Sequence, residues 1–226
     1  MSFLIFLPVY LQVVQGLSPT ESGLALLPMV AGIFTTSISS GRRVSRTGRY
    51  RIYPILGAAV TAIALILMST LDADTPYWQI ATYFFVFGAG LGFTMQIVVT
   101  AVQNSVERSD MGAATSSVTF FRSMGAAFGT ALFGAVLASQ LGHYLAAAGG
   151  VLPAGSDEAE IANNVKAIQA LPAEIKAVVI DAWVHALHDV FVTAVPIVVV
   201  GLVAAFFIPE MPLRGASDVE PILATE

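Results

Sequence analysis

Six apolar stretches follow one another along the chain, and only the fifth contains a charged residue. The later five cover residues 22–39, 52–71, 77–102, 113–138 and 190–208, each long enough for a helix that crosses a bilayer. Residues 1–14 would cover only roughly 20 Å of a hydrocarbon core about 30 Å thick, because a helix rises about 1.5 Å per residue. The pattern predicts an all-α, integral membrane helix bundle whose first helix is truncated.

The composition supports a surface that faces lipid. Hydrophobic residues make up 56% of the chain and charged residues 11%, whereas a soluble domain carries about a quarter charged residues. The formal net charge of −5 argues against a nucleic-acid partner, and the absence of cysteine excludes disulfides and thiolate chemistry. Because Gly-x-Ser-x-Gly, His-Glu-x-x-His and Walker-type motifs are absent, we expect neither an enzyme nor a bound metal or organic cofactor.

The distribution of basic residues predicts an orientation in the membrane. Five arginines crowd residues 42–51, and Arg108 and Arg214 lie on the same side if every stretch crosses. The loops at residues 15–21 and 72–76, on the opposite side, contain no Lys or Arg. The positive-inside rule therefore places the arginine side, and both termini, in the cytoplasm.

A long segment, residues 140–188, precedes the last stretch. Its apolar spacing predicts an extracytoplasmic loop with one or two short amphipathic helices, which either caps the bundle without a binding role or contributes to a site. His185, His188 and Asp189 at its end could form a metal site or a proton relay, but their spacing favours a polar cluster at the entry of a helix.

The strongest local motif is SGRRVSRTGRYRIYPILG, residues 40–57, in which two glycines would permit a tight turn between helices. This motif resembles the loop signature G-x-L-A-D-R-x-G-R of the major facilitator superfamily. Arg43 replaces its leucine and Ser45 its aspartate. The resemblance implies a cytoplasmic gate loop, and the alternative is an ordinary positive-inside anchor. The gate residues would be Gly41, Arg42, Arg46, Gly48 and Arg49.

Three further stretches, YLQVVQGLSPTESGLALLP, residues 88–137 and IPEMPLR, resemble the fourteen-helix drug:proton antiporters of that superfamily. In register they match the last six helices, so the resemblance implies the C-terminal half of a multidrug efflux transporter. Its partners would be the lipid bilayer, small hydrophobic or cationic compounds and an N-terminal half, with protons as the coupling ion. The alternative is a truncated or split module that does not transport without that half.

A polar stripe runs along residues 77–103 at helical spacing and includes Gln96, Thr100 and Gln103. Polar side chains on a membrane helix avoid lipid, so the stripe faces either a cavity or another helix. Together with the family resemblance, this gives a predicted set of substrate-cavity residues. The set is Gln12, Met29, Gln96, Thr100, Gln103, Phe120 and Arg122.

Arg122 is the only charge well inside a predicted span. A charge at such a depth is costly, so we expect a partner: an acid in the other half, a backbone carbonyl, or water in a cytoplasmic cavity. The alternative is that the side chain snorkels to the interface. The spans contain no carboxylate that could pair with it. Proton coupling would then reside mainly in the other half, and we expect that this chain alone does not transport.

Small residues predict two places where helices approach closely. The first is Gly88, Gly90 and Gly92, and the second is a run of glycine and alanine from Gly125 to Gly134.

Overall fold

The computed structural model describes residues 3–147, 165–169 and 171–210. Its helices are α1 (Phe3–Val13), α2 (Pro19–Ala25), α3 (Leu27–Thr47), α4 (Ile52–Met68), α5 (Tyr77–Ser105), α6 (Met111–Ala147), α7 (Val165–Gln169) and α8 (Ala173–Ala205). A short 3₁₀ turn, Arg108–Asp110, leads into α6. The described residues contain no strand, which confirms the predicted all-α class.

Four helical stretches are long and apolar enough to cross a membrane, and the described part of the chain is an integral membrane helix bundle, as predicted. They are Pro19–Thr47, Tyr77–Ser105, Arg108–Ala147 and Ala173–Ala205. The sequence predicts five such helices. The remaining one, α4, has 17 residues, because it ends at Met68 with Ser69 as its C-cap and a turn follows.

The second stretch begins with a capping box. The Ser18 hydroxyl accepts a hydrogen bond from the backbone N–H of Glu21 at 3.3 Å, and the Glu21 carboxylate accepts one from the Ser18 N–H at 2.8 Å. Pro19 stands at the first helical position, where its missing N–H costs nothing. These residues fix the point at which the chain enters α2.

The end of α3 corrects the predicted turn at Gly41. The helix continues to Thr47, so Gly41 and the first three arginines lie on helical turns rather than in a loop. Gly48 ends the helix at a φ of 72°, and its N–H donates to the Val44 carbonyl at 2.8 Å. Only a glycine adopts this left-handed cap without strain. The connection to α4 is therefore short, running from residue 48 to residue 51.

The centre of the bundle is α5, which packs between α3 and α4 through glycines. A methyl group on Gly88 would overlap the Met29 carbonyl of α3, and one on Gly90 would lie 2.9 Å from the Gly57 carbonyl of α4. The Thr36 hydroxyl of α3 also donates to the Ala89 carbonyl at 3.0 Å. The predicted close approach of helices at Gly88, Gly90 and Gly92 is confirmed.

The small residues of α6 from Gly125 to Gly134 were predicted to allow the close approach of another helix, and the described residues show no such approach. No described atom of a neighbouring element lies within 4 Å of the position that a Cβ would take on Gly125 or Gly134. The buried residues of α6 all lie in its second half and include Phe133 and Leu145. No residue from 111 to 132 of α6 is buried in the described bundle.

The predicted loop at residues 140–188 is shorter than expected. Helix α6 continues to Ala147 and α8 already begins at Ala173, so both ends of the segment extend long helices. The short helix α7 lies between them, and residues 148–164 and 170 are outside the described residues. Trp183 of α8 is 3% exposed and belongs to the core. The apolar periodicity of α8 indicates a helix, but it does not show where the membrane ends.

The glycine contacts give a stability prediction. Gly88→Ala should lower the free energy of unfolding by about 1–3 kcal/mol, because the new methyl group must displace the backbone of α3. Gly125→Ala is the matched control and should be close to neutral, since its Cβ would enter open space. The measurement is the fraction of purified chain that stays monodisperse in detergent after heating. Equal midpoints for the two variants would contradict the proposed packing role of Gly88.

Candidate functional site

A cleft of about 750 Å³ separates the second half of α5 from the first half of α6. We call it the α5–α6 cleft. It is lined by Leu91, Thr94, Met95, Val98, Val102, Val106, Ala114, Ser117, Val118, Phe121 and Arg122. The cleft exists because the glycines of α5 draw that helix towards α3 and α4, while α6 packs against α8 only in its second half.

The walls of the cleft are apolar, with two hydroxyls and one fixed charge. Ser117 donates to the Ala113 carbonyl at 2.9 Å and Thr94 to the Gly90 carbonyl at 3.2 Å. Each hydroxyl oxygen can still accept a hydrogen bond from a ligand. Ligand sites commonly combine large apolar walls with a few polar groups that fix orientation. The cleft is therefore suited to a small, mostly apolar molecule.

Arg122 is exposed on the wall contributed by α6. The structure gives its guanidinium no hydrogen bond or ion pair with any other described residue. A backbone carbonyl within the described bundle is therefore not its partner. Its five N–H donors are open towards the cleft and towards whatever covers α6.

Gln103 joins α5 to α6 beside the cleft. Its side-chain amide donates to the Thr115 hydroxyl at 2.9 Å, and Thr115 in turn donates to the Met111 carbonyl at 2.8 Å. Of the two roles predicted for this residue, the structure shows the interhelical hydrogen bond. Such bonds stabilise membrane helix packing by about 0.6 kcal/mol each.

The other predicted cavity residues lie outside the lining of the cleft. Met29 is 3% exposed in the main core, and the Gln12 amide donates to the Ser22 hydroxyl at 3.0 Å. Thr100 donates to the Gln96 carbonyl at 3.1 Å, and the Gln96 side chain is exposed. Phe120 is 63% exposed. Contact of these side chains with a substrate stays a prediction.

Apolar residues that the polar pattern did not single out form most of the cleft. Val98 and Val102 follow Thr94 at intervals of four residues on α5, and Phe121 follows Ser117 on α6. Met95 of α5 also lines the cleft. The helical spacing was visible in the sequence, but an apolar face that lines a cleft has the same spacing as one that faces lipid.

The predicted gate residues lie where α3 ends and α4 begins. Arg42, Arg46 and Arg49 are exposed, and Arg46 lies in the last turn of α3, where a cation complements the helix dipole. Arg214 is outside the described residues.

The polar cluster near the start of the last predicted span joins α6 to α8. Asp189 accepts hydrogen bonds from the Gln140 amide and from the Tyr144 hydroxyl, the latter at 2.9 Å. His188 Nδ1 lies 2.6 Å from the Ser69 carbonyl oxygen, which places the cluster level with the end of α4. No group of three metal-binding side chains occurs among the described residues. The arrangement shows a helix-joining cluster.

The cleft gives an accessibility prediction, because the chain contains no cysteine. In membranes, Ser117→Cys should react with a charged, water-soluble thiol reagent, because Ser117 is exposed and shares the cleft with Arg122, whose charge requires water. Ser40→Cys is the matched control and should be protected, since Ser40 is 1% exposed. The measurement is the labelled fraction by mass spectrometry. A Ser117→Cys that reacts only after detergent is added would show that lipid fills the cleft.

Comparisons with known proteins agree with the sequence motifs. The profile of the Major Facilitator Superfamily matches residues 1–130. An uncharacterised MFS-type transporter of Mycobacterium tuberculosis is 42% identical over 95% of this chain and 31% of its own length. The multidrug transporter protein MdtP of Bacillus subtilis is 37% identical over 62% of this chain and 26% of its own.

A tetracycline resistance determinant of Streptomyces rimosus is 26% identical over 95% of this chain and 69% of its own length. The chain thus spans about a third of the length of the mycobacterial relative.

Proposed function

Because this chain belongs to the Major Facilitator Superfamily, we propose that it acts as the C-terminal half of a proton-coupled drug exporter. In the proposed protein, this half and an N-terminal half rock against each other around a site near the middle of the membrane. The substrates would be small, often hydrophobic or cationic compounds. The superfamily indicates a transporter rather than an enzyme.

The observation that carries the proposal is the α5–α6 cleft in a chain of this family. Its apolar walls suit hydrophobic compounds, and its open side leaves room for a second half to complete a cavity. The printed names of two relatives, a multidrug transporter and a tetracycline resistance determinant, support export of such compounds. The subfamily with fourteen helices is part of the proposal and rests on the sequence motifs.

Arg122 has a specific role in this proposal. A second half would bury its guanidinium, and a buried charge needs a partner such as an acid of that half. Helices α3, α4, α5 and α6 contain no Asp or Glu, and Asp189 of α8 already accepts hydrogen bonds from Gln140 and Tyr144, so the proton-coupling carboxylate would also belong to that half. We therefore place coupling mainly outside this chain.

The proposed orientation puts both termini and the arginine end of the helices in the cytoplasm. Five arginines in residues 42–51 support it through the positive-inside rule. In the transporter, Gly41, Arg42, Arg46, Gly48 and Arg49 would belong to the cytoplasmic gate.

A drug-accumulation assay in efflux-deficient cells tests the function. The chain would be expressed alone and together with the N-terminal helices of the mycobacterial relative, with membrane insertion of each polypeptide verified. We expect export only when both are present, because alternating access needs two halves. Export by the chain alone would contradict the proposal. Export in neither case, with both polypeptides inserted and co-purifying, would favour a membrane module that does not transport.

The same assay tests Arg122 in the two-part transporter. Arg122→Gln should lower export roughly tenfold or more, since loss of an interaction of about 1.4 kcal/mol changes an equilibrium tenfold. Arg108→Gln is the matched control, because Arg108 is exposed in the 3₁₀ turn outside the cleft. Equal export by the two variants would contradict the proposed role of Arg122 in transport.

A further inference from the structure

A second concave site lies at the arginine end of the bundle, away from the α5–α6 cleft. It is a groove of about 410 Å³ between the start of α4 and the end of α8. Its lining consists of Arg49, Arg51, Ile52, Ile55, Phe206 and Glu210. We call it the arginine groove. It shares Arg49 with the proposed cytoplasmic gate, but its other lining residues have no role in the transport proposed above.

Two long-range hydrogen bonds build the groove. The Arg51 guanidinium donates to the Phe206 carbonyl at 2.6 Å, and the Tyr50 hydroxyl donates to the Pro209 carbonyl at 3.0 Å. Tyr50 is 1% exposed and belongs to a small core with Val44 and Ile97. The position of both arginines relative to α8 is thus set by a buried anchor rather than by a free surface loop.

The groove combines positive charge with an apolar wall. No acid occurs between Glu21 and Asp72 in the sequence, so the five arginines of residues 42–51 have no acidic neighbour along the chain. Arg49 has no side-chain hydrogen bond to a described residue, and Arg51 uses one of its five N–H donors in the bond to Phe206. Glu210, on the rim, is the one acid among the lining residues.

The apolar wall is exposed at the same level. Ile52 is 55% exposed and Phe206 is 52% exposed, and both line the groove together with the two arginines. Phe207, the next residue along the chain, is 81% exposed. Helices α3, α4 and α8 all end or begin here, so this level is a membrane–water boundary if those helices cross. A ligand that suits the groove has an anionic head for the arginines and a hydrocarbon part for the isoleucines and phenylalanines.

We propose that the arginine groove binds one anionic phospholipid, with its phosphate between Arg49 and Arg51 and an acyl chain along Ile52, Ile55 and Phe206. The positive end of the α4 helix dipole adds to the attraction. Bound there, the lipid would hold α4 to α8 at the membrane surface and supplement the Arg51–Phe206 hydrogen bond.

Native mass spectrometry of the purified 226-residue chain in detergent tests this proposal. The chain would be titrated with phosphatidylglycerol or with phosphatidylcholine of the same acyl chains. We expect one tightly bound phosphatidylglycerol and weaker binding of phosphatidylcholine. Equal affinity for the two lipids would overturn the proposal. So would displacement of phosphatidylglycerol by millimolar inorganic phosphate, because the site would then be a phosphate site without need of the acyl wall.

Paired variants locate the lipid. Arg49→Gln/Arg51→Gln should weaken phosphatidylglycerol binding about 30-fold, from the about 1 kcal/mol that each basic residue contributes near a lipid surface. Arg42→Gln/Arg43→Gln removes the same charge from the end of α3 and should change the affinity by less than about threefold. Equal losses for the two pairs would indicate a diffuse attraction and contradict a defined site.

Glu210→Gln provides a test that does not depend on a loss of function. Removing the carboxylate from the rim should tighten phosphatidylglycerol binding about fivefold, by the same charge argument. Glu210 is exposed, so the substitution should leave folding intact. If the double arginine variant fails to fold, Arg49→Gln alone should weaken binding about fivefold. Unchanged affinity in both Glu210→Gln and Arg49→Gln would overturn the proposal.

Discussion

The rest of the structure depends on the backbone contact of α5 with its two neighbours. Gly88 and Gly92 meet α3, and Gly90 meets Gly57 of α4, at distances that leave no room for a Cβ. Without a hydrophobic driving force between helices in lipid, close van der Waals packing and interhelical hydrogen bonds are what hold them together. Because Gly88 and Gly92 contact α3 while Gly90, between them, contacts α4, these contacts fix both the position of α5 and its rotation about its own axis.

That fixed rotation determines where the cleft opens. With α3 and α4 on one side, the face of α5 that carries Val98 and Val102 lines the cleft towards the first half of α6, and Thr94 lies at its edge beside Gly57 of α4. Helix α6 is held at its far end by Phe133 and Leu137 and by the hydrogen bonds of Gln140 and Tyr144 to Asp189. The second half of α6 is packed against α8, and its first half is joined to α5 through the hydrogen bond of Gln103. The cleft therefore lies between α5 and the first half of α6.

The sequence was sufficient for the fold class and for the order of the helices, because apolar length and arginine position are strong signals for membrane spans. The sequence was not sufficient to predict the residues at which the helices begin and end. Gly41 resembles a turn residue, but of these two glycines of the motif it is Gly48 that has a left-handed φ. Whether a glycine continues a helix or ends it depends on backbone hydrogen bonds, which the sequence does not reveal. For the site, the polar stripe predicted Gln96 and Gln103 as cavity residues. Most of the cleft is apolar, and sequence spacing does not distinguish such a face from one in contact with lipid.

A coupled transporter must bind its compound and exchange protons. Arg122, together with the absence of acids from α3 to α6, indicates that these two tasks fall to different halves of the proposed transporter. Hydrocarbon is a poor environment for a guanidinium, so the face of α6 that carries Arg122 requires water or a polar partner, although Phe120 and Phe121 beside it are compatible with lipid. The cleft can therefore hold a mostly apolar compound and orient it through hydrogen bonds from the Arg122 guanidinium to an accepting group of that compound. It cannot exchange protons with a carboxylate of its own walls, since its lining contains none. In the proposed transporter, compound binding by this half and proton exchange would be linked only through the relative movement of the two halves.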